Sequence, residues 1–455
     1  MIKASLRCVF TSLLLAAPLL AALPSAGAQS PLTLRQAIDR ALRQNPQAAV
    51  AQADQDAANA AAKQARTAYL PQLNFTEDIA RGNDPVYVFG SRLRQQQFTQ
   101  SNFALNALNR PQPIGNFATR FTGSWMAFDS FETQRQIRRA ELFRKSAASA
   151  SGAADQQIVM GVVGAYQSVL YAERALQVAQ HEQQTAQALL TDVDQHVKAG
   201  LAVESDRMAA QVNAAARKQE LIAAQGNLDL AWADLRLAMG VDALPETALA
   251  PIEARSFPAN TLENELIAAA KNRPDLEALG ASTQAQKEAV AAARSAFGPK
   301  VSAYGNWEQD RPTFAGSGGN NWVAGAQLNL DILPIGKREQ LARERAAELK
   351  ANAQLEQARQ QLRLDVSRAH IQRQTAELQV ETARAAMDQA AESLRIVHNR
   401  YNAGLATITD LLRAEDANRA SQSDYWHAVY GNATAYAQLL FAEGLLTPGA
   451  AEDLQ

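Results

Sequence analysis

Cysteine is all but missing. Cys8 is the single one among 455 residues, and it stands inside an N-terminal stretch with the pattern of an export leader, so the mature chain has no disulfide and no thiol chemistry. No small-residue-Cys site follows that stretch, so no lipid anchor is expected. Beyond the leader no apolar run reaches the roughly 20 residues that a membrane-crossing helix requires. The five histidines, His181, His196, His370, His398 and His427, form no H-E-x-x-H and no pair at ligand spacing, so no metal site is written here. There is no glycine-rich phosphate loop, and acidic and basic side chains are spread along the chain without the clustered pair that acid-base catalysis needs. These absences argue against an enzyme and against any cofactor. The near-neutral balance, formally −2, gives no footing for a nucleic-acid partner.

What is present starts with the leader. Lys3 and Arg7 precede an apolar stretch from Val9 to Leu23, and Ala26-Gly27-Ala28 supplies the small-x-small cleavage pattern. Residues 1–28 therefore read as a signal peptide, with Gln29 as the first mature residue. The alternative is a membrane anchor, which the short stretch and its prolines disfavour. Losing Lys3 and Arg7 takes the formal charge from −2 to about −4. The remainder, rich in Ala, Gln, Arg and Leu, has the composition of long helices.

The mature chain repeats itself. Thr33, Pro46 and Pro71 recur as Thr261, Pro274 and Pro299, a constant shift of 228; Ala199-Gly200-Leu201-Ala202, Asp206 and Gly240 recur as Ala403-Gly404-Leu405-Ala406, Asp410 and Gly444, a shift of 204. The shift falls between matched landmarks: Pro71 to Asp129 is 58 residues, Pro299 to Asp331 only 32. One surplus loop therefore lies in the first copy. Such a period sets the architecture before anything else. The chain divides into two repeats, about 32–240 and 260–446, joined by a proline-bearing linker, Val241 to Asn260, and forming one body.

Each repeat reads as helix, strand pair, very long helix, tight turn, helix. Thr33 with Gln36 makes a capping box, and Thr261 matches it. Pro71 and Pro299 end the first helices and open extended segments. Strands are predicted at about 72–81, 117–128, 301–310 and 322–331. Phe117, Phe121 and Trp125 alternate with Arg120, Thr122 and Ser124, while Ala324, Ala326, Leu328 and Leu330 alternate with Gln327 and Asn329. Ten residues suit a tilted strand crossing a bilayer, although alternation alone favours a water-soluble hairpin packed on helices. Gly316 to Gly319 is the tip between the third and fourth strands.

The long helices carry a heptad seam. Val366, Ala369, Arg373, Ala376 and Val380 begin a row spaced alternately three and four that runs to Tyr401, and the shift of 204 maps it onto Val162 through Val197. Arg373 and Gln183 mark places where the seam needs water or a polar partner. From Gln134 to Ala199 such a helix spans about 100 Å. Gly200 and Gly404 end the long helices as left-handed C-caps and form the turns of two antiparallel hairpins.

Four strands cannot close a membrane barrel, since the smallest have about eight, and an open edge in lipid leaves unpaired backbone groups at several kcal/mol each. Membrane strands would oblige several chains to share one barrel. At this point the chain resembles the TolC family of outer-membrane efflux proteins, over nearly its whole mature length. The resemblance rests on the twofold repeat, the Pro46 to Pro71 and Pro274 to Pro299 spacings, the Phe128-Asp129 and Leu330-Asp331 strand ends, and the hairpin tips, above all Arg400-Tyr401-Asn402-Ala403-Gly404-Leu405 followed by Asp410-Leu411-Leu412. It implies a mainly α fold with membrane β: four strands per chain in a shared twelve-stranded β-barrel that continues into an α-helical coiled-coil barrel. It implies a homotrimer in the outer membrane of a Gram-negative bacterium, seated in outer-membrane lipid and extending into the periplasm. A periplasmic adaptor (membrane fusion) protein and an inner-membrane pump would be its partners, and a passive exit duct of a tripartite efflux pump its function. The outer-membrane duct of a type I protein secretion system is the alternative, and a periplasmic coiled-coil adaptor or scaffold is the alternative of another class.

The resemblance also implies a closed periplasmic tip. Asp206, Tyr401 and Asp410 match positions of the family's polar gate network, but Ala406 stands where an arginine is usual and Arg413 where a second acid is. Arg413, three residues after Asp410, shares its helical face, so one expectation is that an ion pair there, internal or between subunits, replaces the missing one. The opposing expectation is solvated charges on exposed helix ends, each worth under about 1 kcal/mol. The surplus loop, Asn83 to Gly115, is aromatic for a linker; it either folds over the pore mouth or packs on the barrel rim, and the rim is favoured.

Overall fold

A computed structural model describes residues 31–244, 248–252, 256–450 and 454. The proposed leader and Pro245 of the linker lie outside these.

The two repeats fold alike, apart from the short helices between the first two strands. Thr33 closes the expected capping box on Gln36 and starts α1 (Leu34–Gln44); Pro46 is the first residue of α2 (Pro46–Thr67), where its missing N–H is not needed. Two strands follow, β1 (Gln72–Gly82) and β2 (Ile114–Phe128), separated by the short helices α3 (Pro85–Arg94) and α4 (Leu105–Asn109). The long helix α5 (Glu132–Lys198) then turns into α6 (Glu204–Met239). In the second copy these become α7 (Leu262–Asn272), α8 (Pro274–Ser295), β3 (Lys300–Arg311), β4 (Gly319–Asn329), α9 (Ile335–Asn402) and α10 (Ile408–Ala442). The long helices have 67 and 68 residues, about 100 Å each at 1.5 Å per residue.

Every position of the predicted heptad seam is buried or half-buried in both long helices. Arg373, buried on that seam, donates to the carbonyl of Phe257 at 3.4 Å and pairs with Glu377 at 3.3 Å. That is the polar partner its position requires. The linker contributes more than a connection. Leu249, Ile252 and Phe257 are buried in the main core beside Val162, Tyr166 and Leu235, and the ring of Phe257 stacks on Tyr436 at 4.4 Å.

The strands form a single antiparallel sheet in the order β1-β2-β3-β4. The pairing of β2 with β3 joins the repeats. Strand ends differ from the alternation pattern: β2 starts at Ile114, and β4 runs from Gly319 to Asn329, so Leu330 and Asp331 lie beyond it. The last rung pairs Lys300 with Asn329, and Pro299, which has no N–H to donate, cannot extend the ladder.

The two faces of the sheet differ in kind. Phe75, Phe121, Trp307 and Trp322 form one row across all four strands, with ring centroids 5.2 and 5.8 Å apart for the first two pairs. Leu73, Trp125 and Leu328 share this face, and Leu73, Trp322 and Leu328 are 70% exposed or more. The opposite face carries Asn74, Asp78, Asn116, Arg120, Thr122, Asn306 and Glu308. This face is apolar apart from the Arg311–Glu77 pair at 3.1 Å toward the β1–β2 connection; left open on a sheet with no helix over it, it is a lipid-facing wall, and the polar face lines water. Among the described residues no helix is long and apolar enough to cross a membrane.

Neighbours of opposite orientation test this assignment. Phe121→Arg places charge at the middle of the lipid face, where it costs about 2 to 4 kcal/mol, whereas Thr122→Arg points into water. Outer-membrane yield should collapse for the first and persist for the second; equal yields would show the faces to be wrongly assigned.

Candidate gate at the periplasmic tip

Both hairpins end in the same backbone device. Gly200 and Gly404 adopt φ of 73° and 72°, a left-handed conformation that side chains resist. The amide of Gly200 bonds the carbonyl of Val197 at 3.0 Å and that of Leu201 bonds His196 at 2.8 Å; Gly404 and Leu405 repeat this on Tyr401 and Arg400 at 2.9 and 2.7 Å. These paired bonds satisfy the last carbonyls of each long helix and reverse the chain.

The return helices start differently, and the difference decides what the acids do. Thr407 caps α10: its hydroxyl accepts from the Asp410 amide at 3.2 Å, while the Asp410 carboxylate accepts from the Thr407 amide at 3.0 Å and hydroxyl at 2.7 Å. These bonds hold the Asp410 carboxyl below its usual range, helped by the positive charges of Arg413 and Arg400. In the first copy Val203 occupies the cap position and offers no side-chain bond. Asp206 is consequently free of capping duty.

Tyr401 lies at the junction of the two hairpins. Like Leu189, Leu190, Val197 and Leu412, it packs against buried Val193, Ala210 and Ile408. Burial pushes the Tyr401 hydroxyl up, and the negative fields of Asp192 and Asp206 add to the shift. The tip thus seats Tyr401 of one hairpin against Val193 and Ala210 of the other, inside one chain and within the negative field of Asp192 and Asp206. The Asp410 carboxylate, matched in the sequence to the family's gate network, is engaged within its own chain by the Thr407 capping box. Arg413 reaches Asp410 through its field, without an ion-pair contact among the described residues.

A charged cluster that sequence reasoning missed lies above this apolar plug. Arg217 of α6 is buried and binds Asp416 of α10 at 2.6 Å, Glu220 at 2.7 Å and the Asn213 amide oxygen at 3.2 Å. Arg419 approaches Asp416 and Glu220 at 3.7 and 3.8 Å. Glu182 of α5 and Glu415 of α10 face the same space: burial raises both carboxyls, and Glu415, repelled also by Glu182 and Asp416 and only partly relieved by Arg217, is pushed up to about 7. The i,i+3 pairs Arg217/Glu220 and Asp416/Arg419 were visible signals. That α6 and α10 bring them together was not. Among the described residues no group of acids, histidines or cysteines is placed to hold a metal ion.

The sequence family described as Outer membrane efflux protein matches residues 37–241 and 266–445, one segment for each repeat. The chain belongs to this family. It lies in the outer membrane, with its helices reaching into the periplasm, and its family is one of trimeric channels that work with adaptor proteins and inner-membrane pumps. A soluble adaptor or scaffold is set aside. Protein CyaE of Bordetella pertussis is 28% identical over 351 residues, 75% of this chain and 72% of that protein. In fold the chain is similar to a membrane protein from Pseudomonas aeruginosa, with a TM-score of 0.79, 22% identity, and 90% and 93% of the two chains covered. The Campylobacter jejuni CmeC outer membrane channel gives 0.79 at 16% identity, over 92% and 88%.

An acid whose folded pKa is raised stabilises the fold while protonated, and that contribution is lost as pH rises through the folded value. Glu415→Gln keeps the uncharged form at every pH. Its melting temperature should therefore match the parent protein below about pH 4.5, exceed it increasingly from there to about pH 7, and keep a constant lead above that. A gap that stays constant from pH 5 to 8 would mean that Glu415 is not held neutral.

Proposed function

We propose that three copies of this chain close one twelve-stranded barrel and one helical tube, the exit duct of a tripartite efflux pump. The observation that carries this is the pair of sheet edges, β1 and β4, each 11 residues long and each bare in a single chain. In lipid such edges would leave unpaired groups at several kcal/mol each, and joining β1 of one copy to β4 of the next removes every edge. The helical body supports the same closure: Leu364, Ile371 and Leu378, seven apart on α9, make a second apolar line that stays exposed in one chain, as do Leu230 and Leu237 on α6. On this reading residues 1–28 are removed on export, and an adaptor and an inner-membrane pump dock at the periplasmic tip.

The gate is the plug around Tyr401, with Asp206 beside it and the Arg217–Asp416 link above it holding the two hairpins of a chain together. Opening requires the α9–α10 hairpin to part from α5–α6, which exposes the plug to water. Tyr401 is half-buried, so removing its ring strips apolar area worth about 1 kcal/mol, enough to shift a two-state tip severalfold toward open. Tyr401→Ala should therefore raise single-channel conductance in planar bilayers, and Asp410→Ala, which removes only a helix cap, should change it less. The reverse order would return the gate to Asp410.

Deletion of the gene should sensitise cells to small hydrophobic toxic compounds, with resistance restored by the parent gene. Unchanged sensitivity together with loss of one exported polypeptide would instead make the duct part of a secretion system.

A further inference from the structure

The surplus segment of the first repeat folds inward. Its helix α3 starts where Asp84 caps the Tyr87 amide at 2.8 Å and the Tyr87 hydroxyl donates to the Ala80 carbonyl of β1 at 3.0 Å. It ends against β3 and β4. Arg94 pairs with Glu308 at 3.2 Å, the Arg94 carbonyl accepts from Asn321 at 3.3 Å, and Gln95 donates to the Asn116 side chain at 2.8 Å, which in turn donates to fully buried Asp310 at 2.6 Å. Gly319 admits this approach: a Cβ there would sit 2.0 Å from the Arg94 carbonyl oxygen. Ten helical residues cover about 15 Å, which matches the three interstrand spacings, about 14 Å, between β1 and β4.

Every one of these anchors on β2, β3 and β4 lies on the polar face of the sheet. None lies on the face of Phe75, Phe121 and Trp322. The anchors lie at the strand ends that form the barrel rim, and they point to the water-lined wall, where charged and amide groups bind Arg94 and Gln95. Beyond α3 the segment has its own small core, with Phe98 edge-on to Phe89 at 4.8 Å and to Phe103 at 5.1 Å. It is an ordered body, and the second repeat has only residues 312–318 in its place.

We propose that this segment is a lid on the outer mouth of the duct, and that Arg94 and Gln95 are the residues that set how large a solute leaves. The inference rests on the shared-barrel reading. Twelve strands tilted about 40° and spaced about 4.8 Å apart enclose a backbone diameter of about 24 Å. A helix with its side chains is about 10 to 12 Å across, so three of them, one from each chain, seated on the inner wall at the mouth occupy most of that width. The duct then has two constrictions in series. The periplasmic tip decides when it opens, and the lids decide what size of solute passes to the exterior.

The test uses the absence of cysteine beyond Cys8. Thr122→Cys puts a single thiol on the lumen wall, two residues further from the mouth than the Arg120 that binds Glu308, and intact cells are exposed to a small maleimide and to maleimide-polyethylene glycols of increasing length. Two changes are compared in that background: Arg94→Ala with Gln95→Ala, and replacement of residues 84–112 by a seven-residue turn like that of the second repeat. The small reagent should label all three proteins. The long reagents should label the lidded protein slowly, the unlatched one about tenfold faster, as loss of a charge-assisted bond on a two-state lid implies, and the shortened one fastest. Equal labelling of all three by the long reagents would overturn the lid while leaving the duct intact. Failure of the small reagent to reach Thr122→Cys in any of them would overturn the water-filled barrel, and the lid with it.

Discussion

An unpaired strand edge cannot rest in hydrocarbon, and the rest of this molecule follows from that constraint. Each chain supplies four strands, too few to curl into a closed wall. Its exposed aromatic and aliphatic row commits that sheet to lipid all the same. Backbone pairing must therefore come from other copies. Once the barrel is shared, the helices beneath it are held in a ring, and a ring of 100 Å helices is a tube. The heptad seam serves that tube by letting alanines alternate with larger residues, so that neighbouring helices approach closely along their whole length.

Duplication supplies the frame, and departures from duplication supply the working parts. Where the copies agree, as at Gly200 and Gly404, they build the reversal of each hairpin. Where they differ, chemistry appears. Thr407 caps its helix with Asp410, but Val203 leaves Asp206 uncapped; Tyr401 fills a plug where the first copy has only Val197. The largest departure is the segment between β1 and β2, which turns a short hairpin turn into a structured cover over the mouth.

Much of this was legible because it is local. The heptad spacing, the capping box at Thr33 and the glycines that end the long helices depend on neighbours a few residues away, and the structure places them as the spacing requires. What depended on distant partners was not legible. The end of β4 was misplaced because the limit on its ladder comes from Pro299, thirty residues earlier. The direction of the surplus loop depends on Arg94 finding Glu308, more than two hundred residues away, and no periodicity announces such a match. The cluster around Arg217 shows the same limit, since its charge pairs are visible on each helix and their meeting is not. The cap at the second tip, by contrast, was legible, since Thr407-x-x-Asp410 is itself a capping pattern.

The most direct measurement is the mass of the detergent-solubilised particle, freed of bound detergent by calculation from its composition. A shared barrel predicts three chains, stable to dilution, because dissociation would bare six strand edges at once. A folded, stable single chain would contradict the account at its root, since the edges of β1 and β4 would then need no partner.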